Sequence, residues 1–213
     1  MVHKHTGGDR VGTVGLFVIM FIGGLSSASF AGVSPSKGSI SGKQMDWTPL
    51  DRVERFMKEN PHGQVSLQSR EGRRLALKRN KQGNTALILA AGIGHLKTMN
   101  FLLKAGVDID DVNRSGESAL IFATKNGSAR SVRFLYKHGA TLGLEDRLGR
   151  NALIWAALGG YMNIVRYLVL HGADMDVMDG LADSALSAAQ HRGFKDIEDF
   201  LLSKGASRYV YPH

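Results

Sequence analysis

The sequence predicts an all-α solenoid of stacked helix-turn-helix units, and three observations carry that expectation. The stretches "GNTALILAAGIG", "GESALIFATKNG", "GRNALIWAALGG" and "ADSALSAAQHRG" follow one another at intervals of 33 residues. Each is followed by a second apolar segment whose columns keep the same phase. Glycines close both segments at fixed places, and a period of this size is the mark of a repeat architecture.

Residues 1–31 read as an export signal. Lys4 and Arg10 precede the uncharged run "VGLFVIMFIGGL", and "SSASFA" then supplies small residues, so cleavage is expected after Ala31. Retention as an anchor built from residues 11–31 is the alternative. Cleavage is preferred because the strong apolar run is only about fifteen residues, against about 20 for a spanning helix. Residues 32–43, "GVSPSKGSISGK", have almost nothing to bury and read as a flexible linker. The "GSISGKQ" within it is not a phosphate-binding loop, since three residues rather than four separate its glycines and Gln44 follows Lys43.

Residues 44–79 are expected to hold a capping helix followed by a basic loop or degenerate repeat. Thr48 can cap the helix, Pro49 suits its first turn, Asp51 favours the helix dipole, and Leu50, Val53, Phe56 and Met57 form one apolar stripe. The following "SREGRRLALKRNK" holds Arg70, Arg73, Arg74, Lys78, Arg79 and Lys81 against Glu71 alone.

The repeats are expected at 80–112, 113–145, 146–178 and 179–213. Thr85, Ser118, Asn151 and Ser184 are all residue types whose side-chain oxygen can accept an orphan N–H at a helix start. An Ala-Leu pair follows in every copy, and Ala90, Ala123, Ala156 and Ala189 keep a column small enough for close helix approach. Gly94, Gly127, Gly160 and Gly193 end the first helix, as residues free to take positive φ. The second helix carries the columns Phe101, Phe134, Tyr167, Phe200 and Leu102, Leu135, Leu168, Leu201, and ends at Gly106, Gly139, Gly172 and Gly205.

This layout over residues 80–211 resembles the ankyrin repeat. The resemblance implies antiparallel helix pairs stacked side by side, with hairpins projecting from one edge. It departs from the family in its tetrapeptide: Thr-Pro-Leu-His becomes "TALI", "SALI", "NALI" and "SALS". Ile88, Ile121 and Ile154 are expected to replace a directional bond of about 1 kcal/mol by burial worth about 1.5–3 kcal/mol. The last copy turns polar, with Glu198 in the column of Met99, Val132 and Val165, and Ala182 in place of a glycine, as a terminal repeat should.

Catalysis and metal binding find little support. The chain has no cysteine, so thiol nucleophiles, disulfides and thiolate metal sites are excluded. His138 and His171 share a column at the end of the second helix, where they can meet the last carbonyls, and His95 reads as structural. Asp108, Asp110, Asp111, Asp174 and Asp176 are expected to bond within their loops. Trp155 shares the column of Leu89 and Phe122 and is expected in the core. No catalytic residue, cofactor or metal ligand is assigned, and the protein is expected not to be an enzyme.

The resemblance places partner contacts on the hairpin tips and the exposed side of the first helices. In this sequence those positions are Lys81, Gln82, Asn84 and Ile93, then Arg114, Ser115, Glu117, Lys125 and Asn126. The third repeat contributes Arg147, Leu148, Arg150 and Leu158, and the fourth Leu181, Asp183, His191 and Arg192. Lys81, Arg114 and Arg147 make a ladder of positive charge, and the chain's net charge of +8 favours an acidic partner. The expectation is an exported bacterial protein, periplasmic or secreted and monomeric, that binds a protein partner with an acidic surface. Nucleic acid is not expected as a partner, nor membrane insertion of the mature chain. A secreted host-directed effector and a membrane-tethered adaptor are the alternatives.

Overall fold

A computed structural model describes residues 48–59, 74 and 76–207. The export signal, the linker, Arg70, Arg73 and the Met57 side chain lie outside the described residues. Helix α1 covers Thr48–Glu59. The four repeats then supply α2 (Ala86–Ile93) and α3 (Leu96–Lys104), α4 (Ala119–Lys125) and α5 (Ala129–Lys137), α6 (Ala152–Leu158) and α7 (Met162–Leu170), and α8 (Ala185–Arg192) and α9 (Lys195–Ser203).

The expected caps form in every repeat. Side chains of Thr85, Ser118, Asn151 and Ser184 accept the backbone N–H of Ile88, Ile121, Ile154 and Ser187 at 3.3, 3.3, 2.9 and 3.3 Å. Ser184 and Ser187 also bond reciprocally, a complete capping box. These first helices have only seven or eight residues, too few to be stable alone. They persist because α2, α4, α6 and α8 pack side by side in one layer, while α3, α5, α7 and α9 form the second.

The 33-residue columns are the joints of that packing. Ala90, Ala123, Ala156 and Ala189 are fully buried between first helices, and Leu102, Leu135, Leu168 and Leu201 are fully buried beneath them. Ile88, Ile121 and Ile154 are each 1% exposed, so apolar packing does fill the departed histidine column. The aromatic column differs: Phe101, Phe134, Tyr167 and Phe200 are half-buried, with part of each ring on the outer face. Between repeats, Phe194 lies on Gly160, where an added Cβ would come within 2.6 Å of the ring.

At the N-terminal end α1 packs along α2, as each first helix packs along the next. Leu50, Val53 and Phe56 are buried, Phe56 meets Phe101 at 6.2 Å, and Glu54 approaches His95 at 3.5 Å. Thr48-Pro49-Leu50 therefore stands against α2 much as Thr85-Ala86-Leu87 stands against α4. At the other end Glu198 is partly exposed and is held by Lys195 at 3.1 Å and Gln190 at 3.1 Å.

Candidate partner-binding face

Each hairpin is organised by one buried Asn or Asp. Asn80 accepts the N–H groups of Gln82 and Asn84, Asn113 those of Ser115 and Glu117, Asp146 those of Leu148 and Arg150, and Asp179 those of Leu181 and Asp183. Sequence reasoning missed this column, although its signal was present as Asn, Asn, Asp, Asp at intervals of 33 residues. Successive tips are then joined through the backbone. Arg114 N–H donates to Gln82 C=O at 3.1 Å, Arg147 to Ser115 at 2.9 Å and Gly180 to Leu148 at 2.8 Å.

These bonds hold Lys81, Gln82, Arg114, Ser115, Arg147 and Leu148 exposed along one edge. Lys81, Arg114 and Arg147 take no part in any ion pair among the described residues. Leu148 and Leu181 continue the edge with 55% and 75% exposure. On the adjoining first-helix face Ile93 is 53% exposed, Leu158 is half-buried, and His191 and Arg192 are exposed, with His191 3.4 Å from Asp183.

Other expected contact residues turn inward instead. Asn84 is 2% exposed and accepts from Asn113 at 2.7 Å. Arg150 donates through Nε to Asp179 at 2.7 Å, with side-chain exposures of 13% and 1%. Burial alone would push the Asp179 carboxyl up. The Arg150 hydrogen bond, the Asp183 and Leu181 N–H groups and the Arg150 charge outweigh it, leaving the carboxyl below its usual value. Glu117 is 6% exposed and bonds Asn113 and Lys125. Asn126 donates to Phe122 C=O at 2.7 Å, which closes its own helix. These four side chains are joints between or within repeats rather than open contacts.

Trp155 corrects the sequence expectation. It is half-buried on the first-helix face, unlike Leu89 at 0% and Phe122 at 7% in its column. Its Nε1–H donates to Asp146 at 2.8 Å, and its ring lies under Lys125 at 4.6 Å and Arg150 at 5.1 Å. Lys125 Nζ is also 2.6 Å from Glu117. The indole therefore sits in a polar chain because its N–H needs a partner that a leucine or phenylalanine does not.

Of the loop acids, Asp108 and Asp174 bond within their loops as expected, while Asp110, Asp111 and Asp176 reach residues outside their own repeats. Asp108 and Asp174 accept the N–H of Asp110 and Asp176, and Asp111 pairs with Arg79 at 2.6 Å. Asp110 holds Thr141 and Asp176 holds Ser207, each through backbone and hydroxyl. His138 and His171 bond Phe134 and Tyr167 C=O at 2.8 and 2.7 Å in their last turns. Among the described residues no group of three His, Cys, Asp or Glu side chains could hold a metal ion.

No curated protein matches the chain significantly. The family model described as "Ankyrin repeats (3 copies)" matches residues 62–146 and 138–210, well over half of the sequence. With capped helix pairs stacked in two layers and hairpins joined tip to tip over residues 80–207, the chain belongs to the ankyrin repeat family, whose fold serves as a non-enzymatic scaffold for binding other proteins.

Proposed function

We propose that this scaffold binds an acidic, extended segment of a partner protein along its hairpin tips. The observation that supports the reading is the spacing and freedom of three cations. Lys81, Arg114 and Arg147 are exposed and form no ion pair among the described residues, while the backbone bonds beneath them fix their separation. Neighbouring repeats lie about 10 Å apart, and an extended partner in the polyproline II conformation covers about 3.1 Å per residue with three residues per turn. An acidic residue at every third position of a partner would meet the ladder in register. Leu148 and Leu181 extend the same edge and suit apolar residues beyond that acidic stretch. Single exposed pairs contribute only about 0–1 kcal/mol, so affinity comes from several together and from faster encounter.

The test is the triple variant Lys81→Glu, Arg114→Glu, Arg147→Glu, titrated with captured partner across a salt series. Binding is expected to weaken strongly and to lose most of its salt dependence, with an unchanged melting curve. Unchanged affinity at every salt concentration would move the contact to the first-helix face around Ile93 and Leu158.

The export signal belongs to the same proposal, supported by Lys4 and Arg10 before an apolar run and the small residues through Ala31. Intact mass of the protein recovered from its native host tests it. A chain beginning at Gly32 supports export to the periplasm or beyond, and a full-length membrane-bound chain supports a tethered adaptor.

A further inference from the structure

The second-helix layer carries a face of the opposite design from the hairpin edge. Three columns on α3, α5 and α7 point outward: Lys97, Arg130, Asn163, then Asn100, Arg133, Arg166, then Lys104, Lys137, Leu170. Six of these nine positions are basic, and α3, α5 and α7 contain no Asp or Glu at all. All six cations are exposed, and none joins an ion pair among the described residues. In α5 the like charges stand at i, i+3 and i+7, an arrangement that costs a helix stability rather than adding to it. The face ends sharply at α9, where the first two columns continue as Asp196 and Asp199. A surface kept merely soluble would mix its signs; this one separates them.

We infer that the outer face of α3, α5 and α7 docks on an anionic lipid surface. Its extent, about 10 Å along the helices and about 20 Å across them, suits a sheet of headgroups. Two details favour lipid over nucleic acid. The ring faces a base could stack on are already occupied: His138 lies on Phe134 at 4.1 Å, His171 on Tyr167 at 4.1 Å, Arg133 over Tyr167 at 5.7 Å and Arg166 over Phe200 at 5.1 Å. The grid also ends in Leu170, 62% exposed beside the cations, which has no role on a phosphate backbone but can enter the acyl boundary of a bilayer. The inference is independent of the hairpin reading, because the two faces use different residues on different layers.

Co-sedimentation of the full chain with vesicles tests it. One set holds equal parts phosphatidylglycerol and phosphatidylcholine, the other phosphatidylcholine alone. Binding is expected only to the first set and should fall steeply with salt. Each basic residue near such a surface contributes about fivefold in affinity, so Arg130→Gln, Arg133→Gln, Arg166→Gln together should lose about a hundredfold. The separate variant Lys97→Gln, Lys104→Gln, Lys137→Gln should lose as much, which keeps the test decisive if one set disturbs folding. Leu170→Gln should weaken vesicle binding severalfold and leave binding to a duplex oligonucleotide unchanged. The hairpin variant Lys81→Glu, Arg114→Glu, Arg147→Glu should retain its affinity for anionic vesicles. Equal binding to both vesicle sets, loss only in the hairpin variant, or a duplex that binds more tightly than the anionic vesicles would each overturn the inference.

Discussion

Two neighbouring junctions in this stack are built on one plan and finished differently. Across the first and third junctions a hairpin residue meets the organising residue of the next hairpin 29 positions on: Asn84 with Asn113, and Arg150 with Asp179. At the middle junction the same offset sets Glu117 against Asp146, two acids. Direct pairing is replaced there by a bridge. Lys125 takes Glu117, Trp155 gives its N–H to Asp146, and the ammonium rests over the indole ring. The difference teaches that Lys125 and Trp155, on the open side of the first helices, neutralise a conflict inside the stack.

The apolar floor beneath both junctions is alike, and breaking it should have the largest effect. Leu135→Ala and Leu168→Ala each empty a fully buried site and should cost about 2–5 kcal/mol. Denaturant unfolding is expected to give similar losses for the two. A large gap between them would mean that the junctions differ in their core as well as in their polar layer.

Arg150→Met should come next and should act through one carboxylate. Removing the guanidinium leaves Asp179 buried with only its backbone donors, at a cost of about 2–3 kcal/mol near neutral pH. The acid response gives a sharper reading. Asp179 has a folded-state value below its unfolded one, so its contribution is present above the usual carboxylate range and is lost as pH falls through the folded value. Without Arg150 the burial effect is opposed less and the folded value rises toward the unfolded one, so the variant should lose less further stability than the parent as pH falls through the carboxylate range. Identical acid unfolding curves for Arg150→Met and the parent would break the assigned pairing.

Trp155→Phe should have a smaller effect, confined to the bridged junction. It preserves most of the ring under Lys125 but removes the only side-chain donor to Asp146 among the described residues, at a cost of about 1–2 kcal/mol. A loss comparable to that of the leucine variants would return Trp155 to the core role that its column predicted.

The sequence made the repetitive layer of the fold legible because caps, small residues and leucines each have a single function that recurs at one spacing. The contact surface was legible only in part. Lys81, Arg114 and Arg147 could be read as outward because the tips carry them past their neighbours. Asn84, Glu117 and Arg150 belong to the same hairpins but turn inward: the partners of Asn84 and Arg150 lie 29 rather than 33 positions away, and Glu117 takes Asn113 and Lys125, so a search in phase with the repeat passes over them. Trp155 was misread for a related reason: membership of an apolar column says where a ring starts, while its N–H decides where it ends. The likeness of α1 to the first helices hid behind a changed spacing, with Thr48-Pro49-Leu50 standing 37 positions before Thr85-Ala86-Leu87.

The smallest effect expected is a gain, and it lies at the last junction. Gly83, Gly116 and Gly149 turn their hairpins at φ +82°, +78° and +74°. The fourth copy keeps the turn without the glycine, so Ala182 adopts φ +63°, the one non-glycine residue with positive φ among the described residues. Its N–H still bonds Asp179 C=O at 2.9 Å, while the Asp179 carboxylate gathers the N–H groups of Leu181 and Asp183 around it. The network around Asp179 thus imposes a left-handed conformation on an L-residue, at a cost of about 1 kcal/mol. Glycine adopts it without that cost, although its freer unfolded chain returns part of the gain. Ala182→Gly is therefore expected to raise stability by about 0.5 kcal/mol and to slow hydrogen exchange in α8 and α9 more than in α4 and α5. A destabilised variant would show that the alanine methyl contributes packing that outweighs its strain, and the fourth hairpin would then be a turn adapted to alanine.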